Sequence, residues 1–124
     1  MTFKLSARSL KNLEGVHPDL VAIVKRAIQI TEVDFTVTEG VRSVIRQKEL
    51  VMAGASRTMN SYHLTGHAVD LAAWVNGIRW DWPLYKKIAF AMKQAAIEQD
   101  IKLTWGGDWK KFKDGPHFQI ERNK

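Results

Sequence analysis

Two stretches of the sequence carry side chains that commonly bind metal ions. His63, His67 and Asp70 fall within "NSYHLTGHAVDLAAW", and His117 lies in "DGPHFQI". A glycine interrupts the first stretch, so the spacing suits no single helical face and predicts ligands presented from a loop and from the strands that follow. Two histidines and one carboxylate from separated segments form the set that a catalytic zinc site uses, with a fourth position left for water.

The two aspartates of these stretches suggest different chemistry. Asp70 lies between Val69 and Leu71 in an apolar run, where a carboxylate is costly unless a positive group meets it. Asp114 is the carboxylate nearest in sequence to His117 and could accept a proton from water. Residue types alone leave a plainer reading open, because a histidine near a strand end can be a structural residue and an aspartate can cap a turn.

The elements that must hold these residues can be read from hydrophobic periodicity. We expect helices in 17–30, 44–53 and 82–99 and strands in 34–40, 67–75, 101–105 and 115–120. Ser43 and Asp81 are the predicted N-caps of the second and third helices, and Gly54 is the predicted stop of the second. Helices and strands interleave without regular units, which favours an α+β fold with a mostly antiparallel sheet in a single domain over residues 1–124.

Composition narrows the class of partner. The 124 residues carry 19 Lys and Arg against 13 Asp and Glu, a formal charge of +6, so the long-range field favours an anionic partner. The basic residues follow no recognised nucleic-acid-binding pattern. Without cysteine there is no disulfide and no thiolate ligand. The sequence has neither an apolar run of membrane-spanning length nor a signal-peptide core, so we expect synthesis in the cytosol.

The stretch "SYHLTGHAVD", from Ser61 to Asp70, fits the pattern Ser-x-His-x-x-Gly-x-Ala-x-Asp, and "DGPH" fits a downstream acid-x-x-His element. These motifs resemble those of the D-alanyl-D-alanine carboxypeptidase and dipeptidase family of zinc peptidases. Over nearly the whole chain the sequence most resembles the phage L-alanyl-D-glutamate endopeptidases, single-domain endolysins of T5-like type. The resemblance implies a Hedgehog/DD-peptidase-like fold, with about three helices packed on about four strands.

The resemblance also implies roles for five residues. His63, Asp70 and His117 match the zinc ligands, Asp114 matches the general base that activates the attacking water, and Arg42 in "EGVRS" matches an arginine that steadies the substrate carbonyl and its oxyanion. A planar guanidinium with fixed donors suits that last role.

Other candidates near the motif carry weaker expectations. Ser61 matches the signature serine, which could serve loop geometry or contact substrate. His67 falls at a variable position and is left out of the ligand set, and His17 is expected simply to mark a helix boundary. Trp105, Trp109 and Phe112 could line a substrate groove or pack in the core.

The implied activity is zinc-dependent hydrolysis of the L-alanyl-D-glutamate bond in bacterial peptidoglycan, leading to lysis of the host. We expect a monomer without a separate wall-binding domain, a nucleic-acid partner or stable membrane insertion. It would be made in the host cytoplasm and act on the cell wall after the membrane is permeabilised. Two alternatives remain open: a D-alanyl-D-alanine carboxypeptidase or dipeptidase of the same family, and a non-catalytic basic module that binds wall or nucleic acid.

Overall fold

A five-stranded sheet forms the frame of the molecule. The computed structural model describes residues 2–122 of the 124-residue chain. The strands lie in the order β1-β2-β5-β4, with β3 paired to β2, and these pairings are antiparallel. Their bounds are β1 Phe35–Glu39, β2 Ala68–Trp74, β3 Ile78–Arg79, β4 Leu103–Trp105 and β5 His117–Ile120. The strand β2 is therefore the centre of the sheet.

Four α-helices and two 3₁₀ turns accompany the strands. The helices are α1 Ala7–Asn12, α2 Pro18–Ile30, α3 Val44–Met52 and α4 Trp82–Glu98, and the 3₁₀ turns are Tyr62–Thr65 and Gly106–Asp108. None of the helices in residues 2–122 has both the length and the apolar character needed to cross a membrane.

The hydrophobic core lies between the sheet and the pair α2 and α4, which pack against each other. The predicted helix α2 has an apolar stripe toward the core, since Leu20, Val24, Ala27 and Ile28 are all buried. In β2 the alternate residues Val69, Leu71 and Ala73 join the core cluster. Because side chains alternate across a strand, Asp70 projects from the opposite face of the sheet.

The predicted helix ends are confirmed with one exception. Ser43 caps α3 by accepting a hydrogen bond from the Arg46 backbone N–H at 3.0 Å, and Gly54 follows the helix at a φ of 77°. Asp81 occupies the N-cap position of α4, but its side chain makes no capping hydrogen bond. It is instead bound to the Arg79 guanidinium, so the prediction was right about the position and wrong about the contact.

The sheet has one more strand and the fold one more helix than the sequence predicted. The helix α1 has six residues and a single buried side chain, Ser9. The Ser9 hydroxyl accepts from the Val37 backbone N–H at 2.9 Å, so this helix is attached to β1 by a tertiary hydrogen bond. The strand β3 has two residues and follows a turn at Asn76 and Gly77, both of which have a positive φ. Both are too short to give a hydrophobic period.

Candidate metal centre

Strand register places three polar residues in a row across the sheet. Glu39 at the end of β1 pairs with Asp70 in β2, and Asp70 pairs with His117 at the start of β5. Directly opposed residues in an antiparallel pair have Cβ atoms about 4.5–5.5 Å apart. Residues that are far apart in the sequence therefore meet on the face of the sheet away from the core.

The third candidate ligand comes from the 3₁₀ turn before β2. The Ser61 hydroxyl accepts a hydrogen bond from the His63 backbone N–H at 3.2 Å and so caps this turn. Gly66 ends it at a φ of 76°, a left-handed conformation that glycine adopts without strain. Ser61 thus contributes to the loop geometry that presents His63.

The three side chains converge on one point. One ligand atom from each of His63, Asp70 and His117 lies within 4.8 Å of the other two. Asp70 Oδ1 is 3.3 Å from His63 Nε2 and 3.5 Å from His117 Nδ1. The group predicted from the motifs is therefore brought together by the fold.

The second nitrogen of each imidazole ring is hydrogen-bonded, and this determines which nitrogen faces Asp70. His63 Nδ1 lies 2.9 Å from the Gly40 carbonyl oxygen, and His117 Nε2 lies 2.7 Å from Gln119 Oε1. Because both oxygens can only accept, these nitrogens carry the hydrogens and leave His63 Nε2 and His117 Nδ1 with free lone pairs. Metal-binding histidines characteristically donate the other N–H in this way.

The carboxylate at the centre tests whether a metal ion fits. Asp70 Oδ1 is buried and has no hydrogen-bond partner, which is costly for a charged oxygen. Burial favours the neutral acid, but the positive charges of His117 and His63, when these rings are protonated, outweigh it and hold the pKa of Asp70 well below its usual value. An ionised oxygen without a hydrogen-bond donor, facing two imidazole lone pairs, is the donor set that a borderline divalent cation binds.

The group opens into a cleft of about 470 Å³. The cleft wall is completed by the loop after α3 and the loop between β4 and β5, so it is formed by segments from both halves of the chain. Its lining includes Glu39, Arg42, Ser56, Thr58, Asn60, Ser61, Tyr62, His63, Asp70, Trp109, Asp114, His117 and Gln119.

Asp114 lies in this cleft beside the three-residue group. Its backbone N–H donates to the Gly106 carbonyl at 3.0 Å, and its carbonyl accepts from the His117 N–H at 3.2 Å. Burial and the negative charge of Asp70 raise the pKa of the Asp114 carboxyl above its ordinary value, against the opposing effect of His117, His63 and Arg42. Its carboxylate is the second acidic group in a site that already contains Asp70.

Arg42 borders the cleft but is held by neighbouring side chains. Its Nε and Nη2 donate to the two carboxylate oxygens of Glu39 at 2.6 and 2.8 Å, and its Nη1 donates to Gln47 Oε1 at 2.7 Å. Nη2 is also 3.8 Å from Asp70 Oδ2. One N–H on each terminal nitrogen is left over, since a guanidinium has five donors.

Sequence reasoning missed Glu39 and Gln47, the two residues that hold Arg42. Gln47 is completely buried, and its amide nitrogen donates to the Ser56 hydroxyl at 2.8 Å and to the Thr58 carbonyl. The only signal for Glu39 was a charge at the end of an alternating strand. For Gln47 there was none, because glutamine is ordinarily an exposed residue of a helix.

The other candidates fall outside the metal group. His67 Nδ1 is hydrogen-bonded to the Thr65 hydroxyl at 2.9 Å, and its ring packs beside His17, which is the N-cap of α2. The aromatic residues divide into three environments. Trp105 is buried in the core, Trp109 lines the cleft, and Phe112 is exposed.

The fold and the site together define a class. A small α+β domain with a His–Asp–His group in an open cleft, next to a second carboxylate, has the arrangement of a metal-dependent hydrolase. The family model described as phage L-alanyl-D-glutamate peptidase matches residues 1–123. The chain belongs to this family, which confirms the family assigned from its motifs.

Similar proteins come from phages and bacteria. The L-alanyl-D-glutamate peptidase of Escherichia phage T5 is 35% identical over 98% of this chain and 92% of its own length. The peptidoglycan L-alanyl-D-glutamate endopeptidase CwlK of Bacillus subtilis is 32% identical over 81% of this chain and 68% of its own.

Solved structures agree on the fold. The crystal structure of the Serratia marcescens L-Ala D-Glu endopeptidase ChiX superposes with a TM-score of 0.91, at 50% identity over 97% of this chain and 91% of that one. The vancomycin resistance D,D-dipeptidase VanXYg superposes at 0.54 over 85% of this chain and 50% of that one, with 20% identity, and so shares the fold. The predicted α+β class is confirmed.

Proposed function

We propose that this protein is a zinc-dependent endopeptidase that hydrolyses the L-alanyl-D-glutamate bond of peptidoglycan stem peptides. The observation that carries the proposal is the convergence of His63, Asp70 and His117 within 4.8 Å at the base of an open cleft, in a chain of the phage L-alanyl-D-glutamate peptidase family.

His63, Asp70 and His117 are the proposed zinc ligands. A mixed nitrogen and oxygen donor set with three protein ligands is typical of catalytic zinc. Bound there, zinc acts as a Lewis acid that polarises a carbonyl and makes water more acidic. The hydrogen bonds to Gly40 and Gln119 keep the two imidazole rings oriented for this task.

Asp114 is the proposed general base. It lies in the same cleft as the ligand group and is not one of the three converging residues. Its carboxylate takes a proton from the attacking water as the new C–O bond forms. The same proton then passes to the leaving amine nitrogen as the C–N bond breaks, which balances the hydrolysis.

Arg42 is the proposed oxyanion stabiliser. Glu39 and Gln47 fix the guanidinium, which leaves one N–H on each terminal nitrogen to donate to the oxygen that becomes negative on attack. A donor already held in place costs little reorganisation in the transition state. Glu39 and Gln47 are therefore positioning residues in this scheme.

The test is mass spectrometry of purified peptidoglycan after digestion with the zinc-loaded protein, with a chelator-treated sample as control. New N-terminal D-glutamate that appears only with metal would support the proposal. Metal-dependent release of D-alanine would assign the protein to the carboxypeptidase alternative instead. If no wall chemotype gave a product, the non-catalytic basic module would replace the peptidase.

The biological role is part of the proposal. The similarity to the phage T5 peptidase supports a lytic role at the end of infection, in which the protein acts as a monomer made in the host cytoplasm and reaches the wall after permeabilisation. Addition of the protein to permeabilised and to intact cells, followed by turbidity, tests this role. Lysis of permeabilised cells alone is the expected result.

A further inference from the structure

Four basic residues lie on the two loops that complete the cleft wall. Lys110, Lys111 and Lys113 are exposed on the loop between β4 and β5, and both ends of their segment, Trp109 and Asp114, line the cleft. Arg57 lies on the loop after α3, between two lining residues. We call Arg57, Lys110, Lys111 and Lys113 the cationic rim.

The two loops of the cationic rim are in contact with each other. The Arg57 guanidinium carbon lies 3.7 Å from the centre of the Phe112 ring, a cation–π contact. Phe112 has a φ of 54°, which is unusual for an aromatic residue. The contact across the cleft edge therefore keeps the lysine-bearing loop beside Arg57.

Within residues 2–122, no ion pair neutralises the charges of the cationic rim. In the part of the chain that the structure describes, no carboxylate lies within 4.0 Å of these four cations. The acidic residue closest in sequence to Lys110 outside the cleft is Asp108, and it is bound to Lys93 at 2.7 Å. The rim thus has positive charge available for an anionic ligand.

The cleft interior has no comparable free charge. Among the described residues that line it, Arg42 is the one lysine or arginine, and both oxygens of the Glu39 carboxylate already accept from its guanidinium. Asp70 and Asp114 together offset the two charges of a zinc ion bound there, so the interior has no free cation left for a substrate carboxylate. Like charges at short range are unfavourable unless a counter-charge is near.

The proposed substrate brings such a carboxylate. A D-glutamate joined to L-alanine through its amino group has two carboxyl groups, and the peptide can continue through one of them. At least one ionised carboxylate therefore lies close to the scissile bond, on the side of the leaving amine. The protein therefore needs a positive group that binds this carboxylate without pairing with the catalytic carboxylates.

We propose that the cationic rim binds the free carboxylate of the D-glutamate residue and so determines specificity on the leaving side of the scissile bond. The inference rests on the proposed function, since it names the substrate group that this site selects. Exposed lysines can perform this task together, because each contributes little alone and their charges act on the same anion.

The test compares two synthetic stem peptides, one with the free D-glutamate carboxylate and one with a carboxamide in its place. The rim variant carries Lys110→Gln, Lys111→Gln and Lys113→Gln, and retains Arg57 because of its contact with Phe112. We expect the wild-type protein to prefer the carboxylate peptide about tenfold in kcat/KM, mostly through KM. In the rim variant the preference should fall to about twofold or less.

The matched control removes the same charge elsewhere. Lys4, Lys25 and Lys86 are exposed and border other surface hollows, so their replacement by glutamine should leave the peptide preference intact. A preference unchanged in the rim variant, or lost equally in the control variant, would overturn the proposal. Thermal melting of each variant verifies that the comparison is made on folded protein.

Failure of the rim and failure of the peptidase give different results. Calorimetric titration of both peptides into the zinc-loaded Asp114→Asn protein reports binding without turnover. If the carboxylate peptide bound preferentially but the wild-type protein cleaved neither peptide, the peptidase assignment would be wrong. Carboxylate binding by the cationic rim would still be supported. If the wild-type protein cleaved both peptides at equal kcat/KM, the peptidase assignment would be supported. The proposed carboxylate specificity of the cationic rim would then be wrong.

Discussion

At the scale of single residues, Asp70 and Asp114 show how one cleft gives two carboxylates different properties. Asp70 lies against His63 and His117, whose positive charges, when the rings are protonated, lower its pKa despite burial. Burial and the negative charge of Asp70 raise the pKa of Asp114. Opposite shifts in neighbouring acids often mark separate chemical tasks. They agree with the proposed roles of ligand for Asp70 and base for Asp114.

Replacement of Asp114 by asparagine should abolish turnover without loss of zinc. The amide nearly preserves size but cannot accept the proton of water, and removal of a general base typically costs about 10²–10⁴-fold in rate. Steady-state kinetics and metal analysis of the purified variant provide the measurement. Asp108→Asn is the control, because Asp108 is an exposed acid paired with Lys93, and it should keep normal activity. Wild-type kcat in Asp114→Asn would contradict the role.

At the scale of elements, the buried polar side chain of Gln47 connects α3 to Arg42. Gln47 is its one buried residue, while Val44, Ile45 and Met52 are exposed. The Gln47 amide accepts from Arg42 and donates to Ser56 and Thr58. The helix thereby connects the arginine to the loop that forms one wall of the cleft.

Gln47→Leu should lower kcat more than it raises KM. The substitution removes the donor to the Thr58 carbonyl and leaves the largely buried Arg42 without one acceptor, and an unsatisfied buried group costs about 1–3 kcal/mol. Small displacements of a catalytic group can reduce the rate about 10²-fold. Kinetics and hydrogen exchange of residues 55–60 measure the two effects.

The control for Gln47→Leu is Lys48→Leu, at an exposed position of the same helix. That change should leave both kcat and the exchange of residues 55–60 as in the wild-type protein. If Gln47→Leu reduced stability but left kcat unchanged, Gln47 would be structural and its positioning role would be wrong.

The 3₁₀ turn at Gly106 lies directly beneath the acid-x-x-His segment. A Cβ at Gly106 would lie 2.4 Å from the Asp114 carbonyl oxygen and 3.1 Å from His117 Cβ. Gly106→Ala should therefore displace both residues, lower kcat about 10²-fold and weaken zinc binding. Kinetics and a zinc-chelator competition assay measure these losses.

Gly54→Ala is the control for Gly106→Ala, because it should lower stability without displacing residues of the site. Gly54 has a φ of 77° and open space around it, so alanine there adds backbone strain of about 1 kcal/mol and touches nothing in the cleft. We expect a lower melting temperature with normal kcat. Equal kinetic losses in the two variants would show that Gly106 acts only through stability.

At the scale of the whole molecule, the proposed ligands join three separate segments. His63 comes from a 3₁₀ turn, Asp70 from the central strand and His117 from the strand beside it. Such a set is not preformed in an unfolded chain, so metal binding should stabilise the fold. At free zinc a thousand times the dissociation constant, the gain is about 4 kcal/mol.

Thermal unfolding with zinc and after chelation measures this coupling. The melting temperature should fall on chelation and return when zinc is restored. Asp70→Asn removes the central ligand while keeping nearly the same volume, and its melting temperature should respond little to zinc. A full zinc response in this variant would remove Asp70 from the ligand set.

Local patterns in the sequence determined much of this architecture. The apolar period indicated α2 and α4, and the predicted cap Ser43 and stop Gly54 indicated α3. Alternation indicated β1, and a short apolar run indicated β2. The motif around His63 with the acid-x-x-His element indicated the group that the fold brings within 4.8 Å. These signals are readable because helical and strand periods, and the order of residues in a motif, are properties of neighbouring positions.

Only the tertiary structure decided which distant residues surround that group. Register across β1, β2 and β5 placed Glu39 beside Asp70, and hydrogen bonds between separate elements gave Gln47 its place behind Arg42. The contact of Arg57 with Phe112, which defines the cationic rim, likewise joins two loops. Such pairings depend on how elements dock, and a single sequence has no periodic signal for contacts of that kind.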